Sequence, residues 1–150
     1  MHPVLPDNLA SDTAFGASYF GLKTPLQLNS ALCALKLTPI PNATLAEKEC
    51  TSVIVRTFGP EDGKQVWSTA SDSLSKLNDT QRADLAKAYY RRALARGVLK
   101  RDEDAENDLD HALTLQPSDA AVRKEKATVS ARRAAKVKAQ RAAYSKMFSS

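Results

Sequence analysis

The sequence predicts an all-α protein made of antiparallel helix pairs, with a long helix at the C-terminal end. Three observations lead to this fold class. The chain contains only five glycines among 150 residues, apolar residues recur three and four positions apart through most of its length, and residues 86–119 read as one helix, a short turn and a second helix.

The N-terminal part predicts a lead-in followed by a helix pair. Residues 1–23 read as a linker whose last part is already helical, and residues 24–56 as helix, turn and helix. Pro25 is expected to interrupt the first helix, because proline lacks the backbone N–H that a helix interior needs. The sequence TPIPN at 38–42 separates the two helices.

The remaining chain divides into three parts. Residues 57–79 contain glycine and proline signals and predict an irregular insertion with a turn of helix at 65–76. Trp67 in this segment is expected to pack against the nearest helix. Residues 80–119 predict a second helix pair, with helices at about 80–99 and 103–115. Residues 120–150 predict a long basic helix without glycine or proline.

Residues 86–119 resemble a tetratricopeptide repeat, a helix pair held together by small side chains. The aromatic, small and apolar positions of that pattern are occupied by Tyr89, Ala93, Ala105, Leu109 and Ala112, and its final proline by Pro117. Arg92 and Arg96 replace apolar residues of the pattern, so we expect their side chains to be solvated. Residues 24–56 are a weaker match, with Ala46, Cys50 and Val53 on the corresponding face.

Three stretches resemble one family, the immunophilin co-chaperones. These are LNSALCALKL at 28–37, KAYYRRALA at 87–95 and RAAYSKMF at 141–148. The resemblance is greatest to the tetratricopeptide region of the cyclophilin-40 type peptidyl-prolyl isomerases of fungi. It covers most of residues 1–52 and 79–150 and leaves 53–78 without a counterpart.

The resemblance implies a groove that binds the acidic C-terminal peptide of the ninety-kilodalton heat-shock protein. By match, Asn29 takes the asparagine of the second repeat, and Lys87 and Arg91 take the lysine and arginine of the third. The family's first-repeat ligands and its cyclophilin domain have no matching positions. We therefore expect a scaffolding module with a partial, weak carboxylate grip and no enzymatic activity; the alternative that the family suggests is a prolyl isomerase.

The chemistry of these residues supports the same interpretation. Lys87 and Arg91 stand four residues apart and therefore share one helix face, and both cations suit carboxylates. The alternative for all three side chains is an ordinary solvent-facing surface. Tyr89 and Tyr90 are expected to pack, with ligand stacking as the second interpretation.

Composition argues against several other functions. With 43% hydrophobic and 26% charged residues, and no apolar run near the ~20 residues of a membrane span, we expect no membrane partner. Cys33 and Cys50 predict buried thiols in a reducing compartment, hence a cytoplasmic location, with a nuclear one as the alternative. His2 and His111 have no acidic or cysteine partners at metal spacing, and we expect no metal, cofactor or catalytic residue.

Positive charge is concentrated in the second half of the chain. Residues 120–150 contain nine basic residues and a single acidic one, Glu125, and the net charge of the chain is +5. An apolar stripe of Val122, Val129, Val137, Tyr144 and Met147 runs along this helix, which predicts a cap on the last repeat. The alternative is a basic amphipathic helix, residues 120–147, that binds calmodulin; nucleic acid is not expected, because no binding module accompanies the charge.

Overall fold

A computed structural model of the chain describes residues 13–58 and 74–149. Within these residues the protein consists of five helices and contains no strand. The helices are α1 (Thr13–Lys36), α2 (Ala43–Phe58), α3 (Asp79–Val98), α4 (Asp102–Leu115) and α5 (Ala120–Phe148). The predicted all-α fold class is confirmed.

The helices are stacked in chain order. Each helix packs against the next one along the chain, and α1 also contacts α3. The pairs α1–α2 and α3–α4 are each joined by a short turn, and contacts between α2 and α3 hold the two pairs together. This arrangement is consistent with stacked helix-pair repeats, in which each unit packs against its neighbours.

The predicted small-residue seam forms the core. The residues that match the repeat pattern in α3 and α4 are at most 2% exposed: Tyr89, Ala93, Ala105, Leu109 and Ala112. The corresponding residues of the first pair are equally buried: Ala31, Ala46, Cys50 and Val53. Alanine at these positions allows the backbones of packed helices to approach closely, which explains why an alanine-rich chain forms a core at all.

Side-chain caps fix where α3 and α5 begin. Asn78 Oδ1 accepts a hydrogen bond from the backbone N–H of Gln81 at 2.8 Å, and Gln81 Oε1 accepts one from the N–H of Asn78 at 3.0 Å. Asp119 accepts from the first backbone N–H groups of α5. Such caps stabilise a helix by about 1 kcal/mol each.

A Schellman-type turn fixes where α3 ends. Lys100 adopts a left-handed backbone conformation with φ of 64°, and the N–H of Arg101 donates to the carbonyl of Arg96 at 2.8 Å. The turn between α3 and α4 therefore contains only three residues, 99–101, which brings the two helices together as a pair.

The structure differs from the prediction at Pro25, which does not interrupt α1. The helix runs through this residue from Thr13 to Lys36. Pro25 cannot donate to the carbonyl four residues earlier, which belongs to Gly21. Both residues are exposed, so water is available to that carbonyl and the helix tolerates the proline. Trp67 and most of the helical turn predicted at 65–76 lie outside the described residues.

The long helix α5 packs along its first half only. Val122 and Val129 are buried, and Arg132 donates to Asp102 of α4 at 2.6–3.1 Å. Beyond this point Val137 is 46% exposed and Tyr144 is 64% exposed. The predicted cap is therefore formed by residues 120–133, while the later part of the apolar stripe faces solvent. No helix among the described residues is long and apolar enough to cross a membrane.

Candidate functional site

The candidate site lies where α1 and α3 contact each other. Arg91 of α3 donates a hydrogen bond from Nη1 to the backbone carbonyl oxygen of Leu28 in α1, at 2.6 Å. Asn29 follows Leu28 directly, and its side chain is exposed. The structure therefore places the guanidinium group of Arg91 beside the stretch of α1 backbone that carries Asn29.

Lys87 lies one helical turn before Arg91 and is exposed. Within residues 13–58 and 74–149, the side chains of Lys87 and Asn29 make no hydrogen bond or ion pair, and Arg91 makes no ion pair. This surface combines two cations with an amide that accepts and donates hydrogen bonds. Such a set can bind a carboxylate and a peptide backbone, and the assignment of these three residues as peptide ligands stays a prediction.

The neighbouring residue Arg92 corrects the sequence analysis, because it is buried rather than solvated. Its side chain is 3% exposed. Nε and Nη2 donate to the two carboxylate oxygens of Asp108 in α4 at 3.0 and 2.7 Å, and Nη1 donates to Thr51 Oγ1 of α2 at 3.2 Å. Burial raises the pKa of Asp108, and the hydrogen bonds and charge of Arg92 oppose that rise.

Arg96 is also not solvated as predicted, since its side chain is only 14% exposed. Nη1 donates to Asp108 at 2.9 Å, and Nε donates to Glu47 of α2 at 3.1 Å. Arg101 donates to the same oxygen of Glu47 at 2.7 Å. This internal ion cluster, Glu47, Arg92, Arg96 and Asp108, links α2, α3 and α4.

The sequence contained a signal for this cluster. Asp108 occurs three residues after Ala105 and next to Leu109, so it lies within the apolar stripe of α4. An acidic residue at a core position needs a buried partner, because an unpaired carboxylate is costly to desolvate. The arginines that depart from the repeat pattern are those partners.

The two cysteines differ in their surroundings. Cys50 is buried among the helices, and burial raises its pKa to about 12, which keeps the thiol protonated and unreactive. Cys33 is exposed, contrary to the prediction that both thiols are buried. The aromatic residues pack as predicted: Tyr89 is buried with its ring centroid 5.0 Å from that of His111, and Tyr90 is half-buried.

Among the described residues, no group of three histidine, cysteine or acidic side chains is arranged to hold a metal ion. The side-chain chemistry of Lys87, Arg91 and Asn29 suits the recognition of negative charge and of a peptide backbone, and this role stays a prediction.

Comparison with known proteins identifies relatives of the chain. No protein-family model matches the sequence, and no solved structure matches it. A peptidyl-prolyl cis-trans isomerase D of Mycosarcoma maydis is 44% identical over 155 residues, which cover 99% of this chain and 35% of the relative. Proteins of the same name from Cryptococcus neoformans var. neoformans serotype D are 37% identical over 148 residues, which cover 99% of this chain and 34% of the relative.

The chain spans about a third of the length of the curated relatives it matches. The resemblance to the peptidyl-prolyl isomerases noted from the sequence is confirmed by these alignments, and the helical fold is consistent with a tetratricopeptide region. The alignments also span residues 53–78, for which the sequence alone suggested no counterpart, so this part of the prediction is wrong. Over nearly its whole length, this chain is a relative of the peptidyl-prolyl cis-trans isomerases D and corresponds to one part of them.

Proposed function

We propose that this chain is a peptide-binding module of a co-chaperone, and that it binds the acidic C-terminal peptide of the ninety-kilodalton heat-shock protein. The ligand residues are Asn29, Lys87 and Arg91. The observation that carries the proposal is a difference in ion pairing among the cations of α3. No carboxylate among the described residues pairs with Lys87 or Arg91, whereas acidic side chains pair with Arg92 and Arg96 in the same helix.

The geometry suggests how each residue acts. A guanidinium group has five N–H donors, so the single bond from Arg91 to the Leu28 carbonyl orients the group and leaves donors for a carboxylate. Lys87 adds a second positive charge one turn away, as a point charge without a fixed direction. The amide of Asn29 provides a hydrogen bond for the peptide backbone or its terminal carboxylate.

Three ligand side chains predict weak binding. A complete site of micromolar affinity corresponds to about −8 kcal/mol, and each hydrogen bond to a charged group contributes about 1.5–3 kcal/mol. The resemblance implies two further ligands that have no match in this sequence. The loss of two such contacts weakens binding by a factor of about 100 or more, so we expect a dissociation constant on the order of 0.1–1 mM or weaker for the chain alone.

Calorimetric titration with the peptide Met-Glu-Glu-Val-Asp tests the proposal. Lys87→Ala and Arg91→Ala should each weaken binding at least ~fivefold, because each removes one charge-assisted contact. Lys48→Ala is the matched control, since Lys48 is an exposed lysine on α2. Equal affinity of all four proteins would contradict the assignment of the groove.

We further propose that this chain has no prolyl isomerase activity of its own. In the family it resembles, that activity belongs to the cyclophilin domain, for which the sequence has no matching segment. A chymotrypsin-coupled proline isomerisation assay should give the uncatalysed rate at protein concentrations up to ~10 μM, because no segment of the sequence matches the domain that carries the activity in that family. Acceleration that increases with protein concentration would refute this.

A second candidate function is supported by the exposed half of α5. Val137, Tyr144, Met147 and Phe148 are between 46% and 74% exposed, and the acidic residues of the chain end at Glu125. A basic helix with one apolar edge suits an acidic groove such as that of calmodulin. Tyr144→Asp should abolish calmodulin binding and leave binding of the acidic pentapeptide unchanged, whereas Lys87→Ala should weaken binding of the pentapeptide and leave calmodulin binding unchanged.

A further inference from the structure

One face of α1 carries large apolar side chains that the other described helices leave exposed. Leu22 is 70% exposed and Leu26 is 69% exposed. Together with Tyr19 they line an open groove of about 340 Å³, whose other wall includes Glu49 of α2. Apolar residues grouped in this way on a surface indicate an interaction site more often than singly scattered ones do.

Glu49 makes this groove unusual. Its side chain is only 9% exposed, yet within the described part of the chain it makes no hydrogen bond or ion pair. The nearby Arg56 donates hydrogen bonds to Thr24 and Gln27 of α1, and its positive charge also interacts with the negative charge of Glu49. Neither carboxylate oxygen of Glu49 is among the buried unpartnered atoms of the described residues, so the carboxylate reaches solvent at the groove and is accessible to a cation from another molecule.

A cation lies on the same face as this carboxylate. Lys23 follows Leu22 directly, and its Nζ lies 5.3 Å from the centre of the Tyr19 ring. The groove is therefore lined by one positive and one negative side chain, with leucines beside them. In a two-fold symmetric interface, each contact between residue i and residue j occurs twice, so a surface with both charges can be complementary to itself.

We propose that two copies of this chain associate through this face, with α1 packed against α1 of the other copy. Leu22 and Leu26 of the two copies cover each other, and Lys23 of each copy pairs with Glu49 of the other. The face from Tyr19 to Ser30 spans eleven residue steps, or about 16 Å. One helix face of this length forms a smaller contact than an interface of standard size, which buries ~1,600 Å² in total, so we expect a reversible dimer with a dissociation constant of about 10–100 μM.

Charge reversal tests the pairing. Sedimentation velocity of the full chain from about 1 to 300 μM should show a monomer–dimer equilibrium that Lys23→Glu and Glu49→Lys each weaken at least ~tenfold, because each brings like charges together. An equimolar mixture of the two variants should restore dimerisation, since each unlike pair is formed again between the two copies. A mixture that stays monomeric while both variants remain helical would overturn the proposal.

A further variant leaves the buried residue Glu49 unchanged. Leu26→Asp changes an exposed residue, so it should preserve the fold and abolish the dimer. Ile40→Asp is the matched control, because Ile40 is 78% exposed in the turn between α1 and α2. Any of three results would exclude a second copy as the occupant of this face. These are a wild-type protein that is monomeric at every concentration, a dimer that persists in Leu26→Asp, and a monomer that Leu26→Asp destabilises.

Discussion

Helix α3 contains two pairs of cations with the same spacing and different surroundings. Lys87 and Arg91 form the outer pair, and Arg92 and Arg96 form the inner pair. Because one residue step rotates the position by about 100° around a helix, the inner pair faces α2 and α4, whereas Arg91 of the outer pair contacts α1 and Lys87 is exposed. The function of a basic residue in such a helix is thus decided by which neighbouring helix covers it.

The two pairs differ most in what their loss should cost. Asp108 is 1% exposed and accepts hydrogen bonds from both inner arginines. Removing one partner of a buried ion pair leaves the other charge desolvated, at a cost of about 3–5 kcal/mol. The outer pair is in contact with water, where single charges contribute about 0–1 kcal/mol to stability.

The largest expected effect follows from breaking the inner pair. Asp108→Leu should lower the free energy of unfolding by about 3–5 kcal/mol, because it leaves Arg92 buried without its carboxylate. Urea denaturation followed by circular dichroism measures this change. A loss below ~1 kcal/mol would show that water or another side chain solvates Arg92 in the variant.

A control variant and a double variant test whether the lost stability comes from the broken ion pair of Arg92 and Asp108. Glu103→Gln removes an exposed carboxylate from the same helix and should leave stability within about 0.5 kcal/mol of the wild type. The double change Arg92→Met with Asp108→Leu removes both charges and should recover a large part of the lost stability, since apolar replacements of a buried ion pair are often neutral.

The sequence allowed the helices and their seam to be predicted, because both depend on local patterns. Tyr89 and Ala93 of α3 are four residues apart, as are Ala105 and Leu109 of α4, and all four are buried. The caps by Asn78 and Asp119 fix helix starts within one residue of those predicted at about 80 and 120.

The sequence did not allow the surroundings of Arg92 to be predicted, because its exposure depends on the crossing of three helices rather than on its neighbours in the chain. The same limit applies to α5, where Val129 and Val137 follow one pattern yet differ in exposure. That difference arises because α4 covers only the first half of α5. For the groove, spacing predicted that Lys87 and Arg91 share a face, but not that Arg91 bonds to the Leu28 carbonyl.

Partly exposed pairs between α4 and α5 should give an intermediate effect that depends on pH. The hydrogen bond from Arg132 lowers the pKa of Asp102, and hydrogen bonds from Ser130 and Arg133 lower that of Glu106. A carboxylate whose pKa is lower in the folded state stabilises the fold above its unfolded pKa, and this stabilisation is lost as pH falls through the folded pKa. Since the arginines are 39% and 43% exposed, we expect a loss of about 1 kcal/mol between pH 6 and pH 3 from these pairs.

Urea denaturation at several pH values checks this contribution. Asp102→Asn should lower stability at pH 6 and make it less dependent on pH below 4.5, because the variant has no carboxylate to protonate at this position. The control is Asp79→Asn, which removes an exposed carboxylate in the first turn of α3. An identical acid dependence for wild type and Asp102→Asn would contradict a role for this pair.

Substitutions in the outer pair, Lys87 and Arg91, should have the smallest effect on the free energy of unfolding. Lys87→Ala should change the free energy of unfolding by no more than about 0.5 kcal/mol, because Lys87 is exposed and makes no contact that the fold needs. Arg91→Ala should cost slightly more, about 1 kcal/mol, since it also removes the hydrogen bond to Leu28.

The same urea denaturation experiments measure both changes in the free energy of unfolding, and calorimetric titration measures the change in affinity for the peptide. If Lys87 and Arg91 bind a ligand, Lys87→Ala lowers the affinity for the acidic peptide and leaves the free energy of unfolding unchanged. The lysine charge then interacts with the peptide and not with another part of the chain. A stability loss above ~1 kcal/mol for Lys87→Ala would place this lysine with the structural cations instead. The distinction between the two pairs of α3 then becomes one between charges that hold helices together and charges that remain available for an acidic partner.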